Sequence, residues 1–304
     1  MYSPDIKLIS KPLKYKDSIS YYINEKNYSD SFGRQWNKFR KTQIDGFNNT
    51  QSFDRFFNET GLNSNDFKNK KILEIGSGAG RFTNIILNHT DGIVYSVDSS
   101  DAVKANYENN KKFVNKRLFL YKASLYQLPF SLNQFDIVIC FGVIQHTPDI
   151  KKTIDCLCEQ VKKNSILIVD FYPYNGFWTM ISAKYILRHV TKRLSFNTNY
   201  SIFKKSVKYL IPIYFFLEKI NLKFLNRFVP IADISNTIPK NLNPKQLEEM
   251  VLLDTLDMFT PKYDRPQKIF KISKLISNNN FNILFAGKIN YKNLTSTVIK
   301  GKKN

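Results

Sequence analysis

The chain has 304 residues, 42% hydrophobic, 14% aromatic and 23% charged, a composition that excludes a wholly disordered or collagen-like chain and permits one large domain or two smaller ones. Its 46 basic and 25 acidic residues leave a net charge of +21, which favours anionic partners such as nucleic acid, anionic lipid or phosphorylated substrates. The basic residues are mostly Lys in a chain rich in Asn and Ile, so the excess also reads as compositional bias, and the scarcity of Arg argues against a dedicated nucleic-acid reader. Cys140, Cys156 and Cys158 suggest neither a disulfide framework nor a metal site. The start, Met1-Tyr2-Ser3-Pro4-Asp5, lacks the basic and apolar regions of a signal peptide, and no apolar run approaches the roughly 18 residues of a spanning helix, so the expected compartment is the cytoplasm.

In chain order, residues 1–70 show no strand alternation. Phe32, Trp36, Phe39 and Gln43 follow helical spacing, as do Phe53, Phe56 and Phe57, which predicts a helical lead-in. From Lys71 short β-rich runs alternate with helical stretches: Ile72 to Ile75, Ile93 to Val97, Leu118 to Tyr121, Phe135 to Phe141 and Ile166 to Phe171. That order predicts an α/β fold with a parallel sheet covered on both faces. Residues 174–260 carry helical periodicity with aromatic and basic interruptions, then come a helix near Gln267 to Asn278 and two β-rich runs, Phe281 to Ile289 and Thr295 to Ile299. The Lys-rich tail after Ile299 is expected to fray.

The segment Lys71-Ile-Leu-Glu-Ile-Gly-Ser-Gly-Ala-Gly-Arg-Phe82 runs from a buried strand into a helix through Gly76, Gly78 and Gly80, where glycine permits a sharp turn and close backbone approach to a ligand. A dinucleotide fingerprint would need glycine at position 81, which is Arg81, so pyrophosphate binding is disfavoured. The second β-run ends at Asp98, at a spacing that suits a carboxylate accepting from the hydroxyls of a ribose. Taken singly, these glycines read as turn geometry and Asp98 as a helix cap. Together with Leu128-Pro129-Phe130 and Phe135-Asp-Ile-Val-Ile-Cys-Phe-Gly-Val-Ile-Gln-His-Thr-Pro-Asp149, the loop and its acidic partner resemble the class I S-adenosylmethionine-dependent methyltransferases, specifically the bacterial group with Leu-Pro-Phe and His-Thr-Pro motifs. The likeness covers about residues 70–172, and more loosely Asp257-Met-Phe-Thr-Pro-Lys-Tyr263, which is similar to a motif of methyltransferases found near glycan-assembly enzymes.

The resemblance implies a Rossmann-like seven-stranded sheet of order 3-2-1-4-5-7-6 with its last strand antiparallel, and S-adenosyl-L-methionine as cofactor. It divides the chain into a helical lead-in or lid (1–70), a cofactor-binding domain (71–173 and 261–300) and a helical substrate-binding insertion (174–260). Carried over by position, it implies that Glu74, Gly76, Ser77, Gly78 and Gly80 hold the methionine portion, Asp98 the ribose and Ser99 the adenosine. Where the group commonly has Asp four residues before Leu128 to bind the adenine amine, this chain has Ser124, which shifts adenine contacts toward Leu125 and backbone amides.

Methyl transfer is an in-line displacement at an activated sulfonium, so alignment is the main task. A hydroxyl nucleophile gains from a general base, for which His146, just beyond the fourth strand, is the leading candidate. The alternative is that His146 only shapes the turn before Thr147-Pro148. Asp170 and Asp257 are further catalytic candidates, and Tyr172 and Tyr263 candidate substrate contacts. The expected reaction is methylation of a hydroxyl on a small molecule or a glycan or lipid-linked intermediate. An RNA or protein methyltransferase, or a binding protein of methyltransferase fold without catalysis, is the alternative; nucleic acid is the less favoured partner. Peripheral association with an anionic membrane is expected from Lys184, Arg188 and Lys192 on one helical face with Ile186, Val190 and Leu194 nearly opposite, and from the apolar run Tyr209 to Leu217, though packing of both apolar faces on the main domain is the competing reading.

Overall fold

The computed structural model describes residues 5–24, 27–46, 51–240, 242–292 and 294–304, so most of the amino-terminal stretch read above for a signal peptide, Met1 to Pro4, lies outside the described residues. Among the described residues nine strands form one sheet: β1 (Lys14–Lys16), β2 (Ile19–Tyr21), β3 (Lys71–Ile75), β4 (Ile93–Asp98), β5 (Leu118–Lys122), β6 (Phe135–Cys140), β7 (Val161–Asp170), β8 (Phe281–Tyr291) and β9 (Leu294–Lys303). Their order is β1-β2-β5-β4-β3-β6-β7-β9-β8. The last seven positions reproduce the expected 3-2-1-4-5-7-6 arrangement, with β3 to β7 parallel and β9 antiparallel to both β7 and β8.

The sheet differs from expectation at both ends of the chain. Residues 1–70 do contain strands, because β1 and β2 form a hairpin and β2 extends the sheet parallel to β5. The turn puts Asp17 and Ser18 at φ 51° and 60°, the left-handed pair that matches strand twist. Asp-Ser is a weak signal for such a turn, and three-residue strands barely alternate, so the hairpin was not legible. At the other end the Lys-rich tail is ordered strand: β9 runs to Lys303, whose ammonium donates to the Cys158 and Val161 carbonyls.

Helices α1 (Asp30–Lys38), α2 (Gln51–Thr60), α3 (Arg81–His89), α4 (Ala102–Asn110), α5 (Ile150–Gln160), α6 (Phe177–Met180), α7 (Ala183–Thr191), α8 (Phe196–Lys219), α9 (Ile234–Thr237), α10 (Pro244–Phe259) and α11 (Ile269–Ser277) complete the fold. Alternation along the strands divides the core in two. Ile72, Val94, Leu118 and Ile137 meet Phe56 of α2, Ile85 of α3 and Val103 of α4, whereas Leu73, Tyr95, Phe119 and Val138 meet Ile154 of α5 and Ile272 of α11. A third cluster, built on Phe203 and Val207 of α8 and Leu253, Leu256 and Phe259 of α10, takes in Phe39 and, at its margin, Trp36. It lies apart from the sheet faces, and a cavity at the carboxyl ends of the strands separates it from β3, β4 and β7.

One expectation reverses on α7. Arg188 is buried and donates to the Met258 and Pro261 carbonyls, and Lys184 is ion-paired with Asp264 at 2.6 Å. Both cations therefore point inward to satisfy carbonyls and a carboxylate that are otherwise cut off from water, while Ile186 and Val190 stand 58% and 61% exposed.

Candidate active site

The cavity has a volume of about 470 Å³, within the usual range for a small-molecule site. Its floor is the turn from β3 into α3. Gly76, Gly78 and Gly80 all take positive φ, 73°, 55° and 77°. A Cβ at Gly76 would lie 2.2 Å from Val143 Cγ2 and one at Gly80 2.1 Å from Asn106 Oδ1, so glycine is demanded by both conformation and space. Trp36 of α1 lies over Gly78, its indole nitrogen 3.2 Å from where a Cβ would stand. Asn37 Nδ2 donates to the Asp101 carbonyl and Asn27 Nδ2 to that of Ser99, which ties the lead-in to the end of β4.

Asp98 is buried at the end of β4, on the cavity wall. Its Oδ2 accepts from the Gly78 N–H at 2.9 Å, and its Oδ1 from the Ser100 N–H and hydroxyl at 2.8 and 2.6 Å. Burial raises the pKa of this carboxyl while those bonds oppose the rise. Ser77, also on the wall, has a buried hydroxyl with no partner, Ser99 Oγ is 2.8 Å from Ser29 Oγ, and Leu125 lines the same cavity.

Three expected cofactor contacts stand off the wall: Gly80, which packs against Asn106 and Asn110, Glu74 and Ser124. Glu74 lies beneath the loop, where its carboxylate accepts from Thr83 of α3, and Thr83 accepts in turn from Asn106, which also donates to Ser96. Burial pushes the Glu74 carboxyl up to about 7. The alternation of β3 directs Glu74 toward α3, so it fixes the loop from below. Ser124 caps the 3-10 turn Leu125–Gln127 by accepting from the Tyr126 N–H, which spends its hydroxyl locally.

His146 sits in the 3-10 turn Ile144–His146 after β6, buried and on the wall. Its Nδ1 is 2.9 Å from the Tyr263 carbonyl oxygen, which accepts, so Nδ1 carries the proton and Nε2 is left as the free base. Nε2 is buried with no partner. Edge-on contacts with Phe32 and Tyr172 hold the ring, and burial lowers the imidazole pKa. Tyr172 donates its hydroxyl to Asp257 Oδ2 at 3.1 Å, and the Lys184 ammonium lies 4.4 Å from the Tyr172 ring centre. Asp170 lines the same wall, but its oxygens are held by Arg55 and the Gly142 N–H. Tyr263 reaches the site through its main-chain carbonyl, while its ring packs edge-on against Tyr28, 5.8 Å between centres.

Arg81 does more than exclude a dinucleotide. It lines the cavity at the start of α3, its Nη1 donates to Gln43 Oε1 and its Nε to Ser52 Oγ, and its Nη2 is buried without a partner. Burial, with Arg55 nearby, lowers its pKa to about 10. Asp254 on the opposite wall accepts from Gln43 at 3.2 Å, and burial raises its carboxyl to about 7. Neither role shows in spacing, because α3, α10 and the turn after α1 that carries Gln43 converge there only in the folded chain. Among the described residues no group of three or more His, Cys, Asp or Glu is placed to hold a metal.

A parallel sheet with a glycine turn into its first crossover helix, an acidic residue ending the next strand and a cavity across both defines a Rossmann-like nucleoside-binding domain. Residues 73–169 match the family described as a methyltransferase domain. That segment, about a third of the chain, therefore carries the methyltransferase domain. It is 28% identical over 136 residues to a ubiquinone biosynthesis O-methyltransferase of Rickettsia prowazekii (strain Madrid E), covering 43% of this chain and 52% of that protein. For the protein of the same name in Rickettsia bellii (strain OSU 85-389) the identity is 28% over 167 residues, covering 52% and 64%. The chain thus spans between about half and two thirds of these relatives' length. Among solved structures, the magnesium protoporphyrin IX methyltransferase of Synechocystis PCC 6803 aligns over 93% of this chain and 90% of that one, with 14% identity and a TM-score of 0.45.

Proposed function

We propose that the protein is an S-adenosylmethionine-dependent methyltransferase that methylates a hydroxyl of a small-molecule or glycan acceptor, with His146 as the general base. The observation that carries this reading is the buried, unpartnered Nε2 of His146 on the wall of the cavity that also holds the glycine loop and Asp98. The names of the curated relatives, both O-methyltransferases, support an oxygen acceptor.

The residues present fit the cofactor. Asp98 Oδ2 keeps one lone-pair site beyond that used by Gly78, for a ribose hydroxyl, and Ser99 and Leu125 border the adenosine. The backbone of Gly76 to Gly78 lines the cavity beside the methionine portion, the Ser77 hydroxyl meets its polar end, and the Arg81 Nη2 takes its carboxylate. When bound, the cofactor supplies an activated methyl group on a sulfonium.

The protein's own work is orientation and proton removal. Nε2 of His146 accepts the acceptor's hydroxyl proton as the oxygen attacks, and the imidazolium so formed is stabilised by the Tyr263 carbonyl at Nδ1. Glu74, through Thr83, holds the loop; Asp170 holds Arg55 and the Gly142 amide and acts as a positioning residue; Asp257 orients Tyr172, which faces His146.

Turnover across a panel of phenolic and sugar hydroxyls, read as release of the demethylated cofactor, tests the reading, with calorimetry of cofactor binding alongside. Asp98→Ala should weaken cofactor binding by about 1.5 to 3 kcal/mol, the worth of hydrogen bonds to a charged group. Binding without turnover on any acceptor would mark a binding protein instead, and unchanged affinity in a folded Asp98→Ala variant would remove the ribose assignment.

A further inference from the structure

The outward side of the helical layer is apolar where a protein surface ordinarily is not. On α8, the face formed by Phe203, Val207 and Tyr214 is buried against α10. A second face, Ile202, Tyr209, Ile213, Phe216 and Ile220, falls within about 60° of arc at 100° per residue and is open to solvent, with Tyr209 65% and Phe216 60% exposed. The patch continues onto neighbouring elements. The 3-10 segment Lys223–Phe228 packs on α8 and α7 and exposes Phe224 and Phe228, and Arg227 donates to the Trp178 and Ile181 carbonyls, which brings in α6 with Phe177 and Trp178. Ile186 and Val190 of α7, the helix on which this 3-10 segment also packs, are exposed as well. A contiguous apolar surface on this scale marks a binding face.

The charge around it selects the occupant. Between residues 174 and 228 the sequence has ten Lys and Arg and a single acidic residue, Glu218. Lys184 and Arg188 point inward, while Lys192, Arg193, Lys204, Lys205, Lys208, Lys219, Lys223 and Arg227 are exposed. On α8, Lys205, Lys208 and Lys219 border the apolar stripe on the side away from α10. We infer that this face docks on an anionic membrane surface, with the aromatic and aliphatic side chains entering the headgroup and acyl boundary and the lysines meeting lipid phosphates. A second copy of the chain would bring its own exposed cations to the same rim, and the repulsion would oppose pairing, whereas anionic lipid neutralises them. Docking here is shallow, because no helix among the described residues is long and apolar enough to cross a membrane. The cations that matter are not those singled out by the periodicity of α7, two of which are spent inside the fold.

The inference stands apart from the catalytic reading, since its readout is binding to lipid. Flotation of the full chain with vesicles of phosphatidylcholine alone, or mixed with phosphatidylglycerol, should show binding to the anionic vesicles only, falling as salt is raised. Tyr209→Asp with Phe216→Asp, and separately Lys205→Glu, Lys208→Glu and Lys219→Glu together, should each reduce it at least about tenfold. These side chains are exposed, so melting temperature and cofactor affinity should be preserved. Trp178 fluorescence should shift to the blue on vesicle binding, a change absent in Trp178→Phe. Failure to float with anionic vesicles at low salt, undiminished binding by both variants, or a dimer in sedimentation that Phe216→Asp dissociates would overturn it.

Discussion

At the scale of the residue, His146 shows how burial and a single hydrogen bond fix a chemical state. The Tyr263 carbonyl demands a proton on Nδ1, and burial lowers the imidazole pKa below its ordinary value near 6.5, so Nε2 is a free base at neutral pH. The sign of two pH effects follows. Catalysis needs the neutral ring, so kcat/KM should rise with pH through a limb below about 6.5 and be flat near neutrality. A basic group whose pKa is lowered on folding contributes stability that is present above its unfolded pKa and is lost as pH falls toward the folded one, so part of the acid instability of the fold belongs to His146. His146→Ala should lower turnover by about 10² to 10⁴ and flatten the acidic limb, with cofactor affinity retained by calorimetry. A folded variant with near-normal turnover would leave His146 a turn-shaping residue. The sequence placed His146 at the rim of the fourth strand, but its partner is 117 positions away, so the tautomer was not legible.

At the scale of the element, the glycine loop is readable because its constraint is local. Three glycines in alternate positions after a buried strand state that the backbone turns through positive φ, and the structure adds which neighbours close in: Val143 on Gly76, Trp36 on Gly78 and Asn106 on Gly80. Gly76→Ala should cost about 1 to 2 kcal/mol for the left-handed backbone alone, plus the displacement of Val143, and the shift of that side chain should carry into the turn holding His146. Chemical denaturation should show the lost stability, and cofactor titration a weakened affinity. An alanine variant as stable and as tight-binding as the parent would mean the loop relaxes freely. Helix α7 teaches the reverse lesson. Its periodicity correctly separated Lys184 and Arg188 from Ile186 and Val190, yet periodicity gives two faces without saying which one is inside. The Asp264 carboxylate and the open carbonyls of Met258 and Pro261 drew the cations inward.

At the scale of the whole molecule, the antiparallel strand β9 joins the two ends of the design. It pairs with β7 over Asp170 to Ile166 and with β8 along its full length, and Lys300 reaches the Thr60 carbonyl at the end of α2 while Lys303 holds the β6–β7 side through Cys158 and Val161. Removing residues 300–304 would strip the ladder pairs of Ile166 to Ile168 and leave buried carbonyls unpaired, at about 1 to 3 kcal/mol for each such group. The truncated chain should melt several degrees lower and bind cofactor less tightly. Unaltered melting would show that the tail contributes nothing to the sheet.

The sequence by itself determined what depends on near neighbours. Alternating β-runs and helical stretches defined the parallel sheet, the glycine spacing defined the turn into α3, and Asp98 ended the next strand, because strand period, left-handed backbone and helix starts are properties of a few consecutive residues. Tertiary structure alone decided what depends on elements meeting from far apart. It placed Arg81, Gln43 and Asp254 around one cavity, turned the cations of α7 inward, added the β1–β2 hairpin to the sheet edge and ordered the basic tail as β9. In each case the deciding term is the cost of burying an unpaired polar group or an unpaired strand edge, a cost that exists only once distant segments exclude water together.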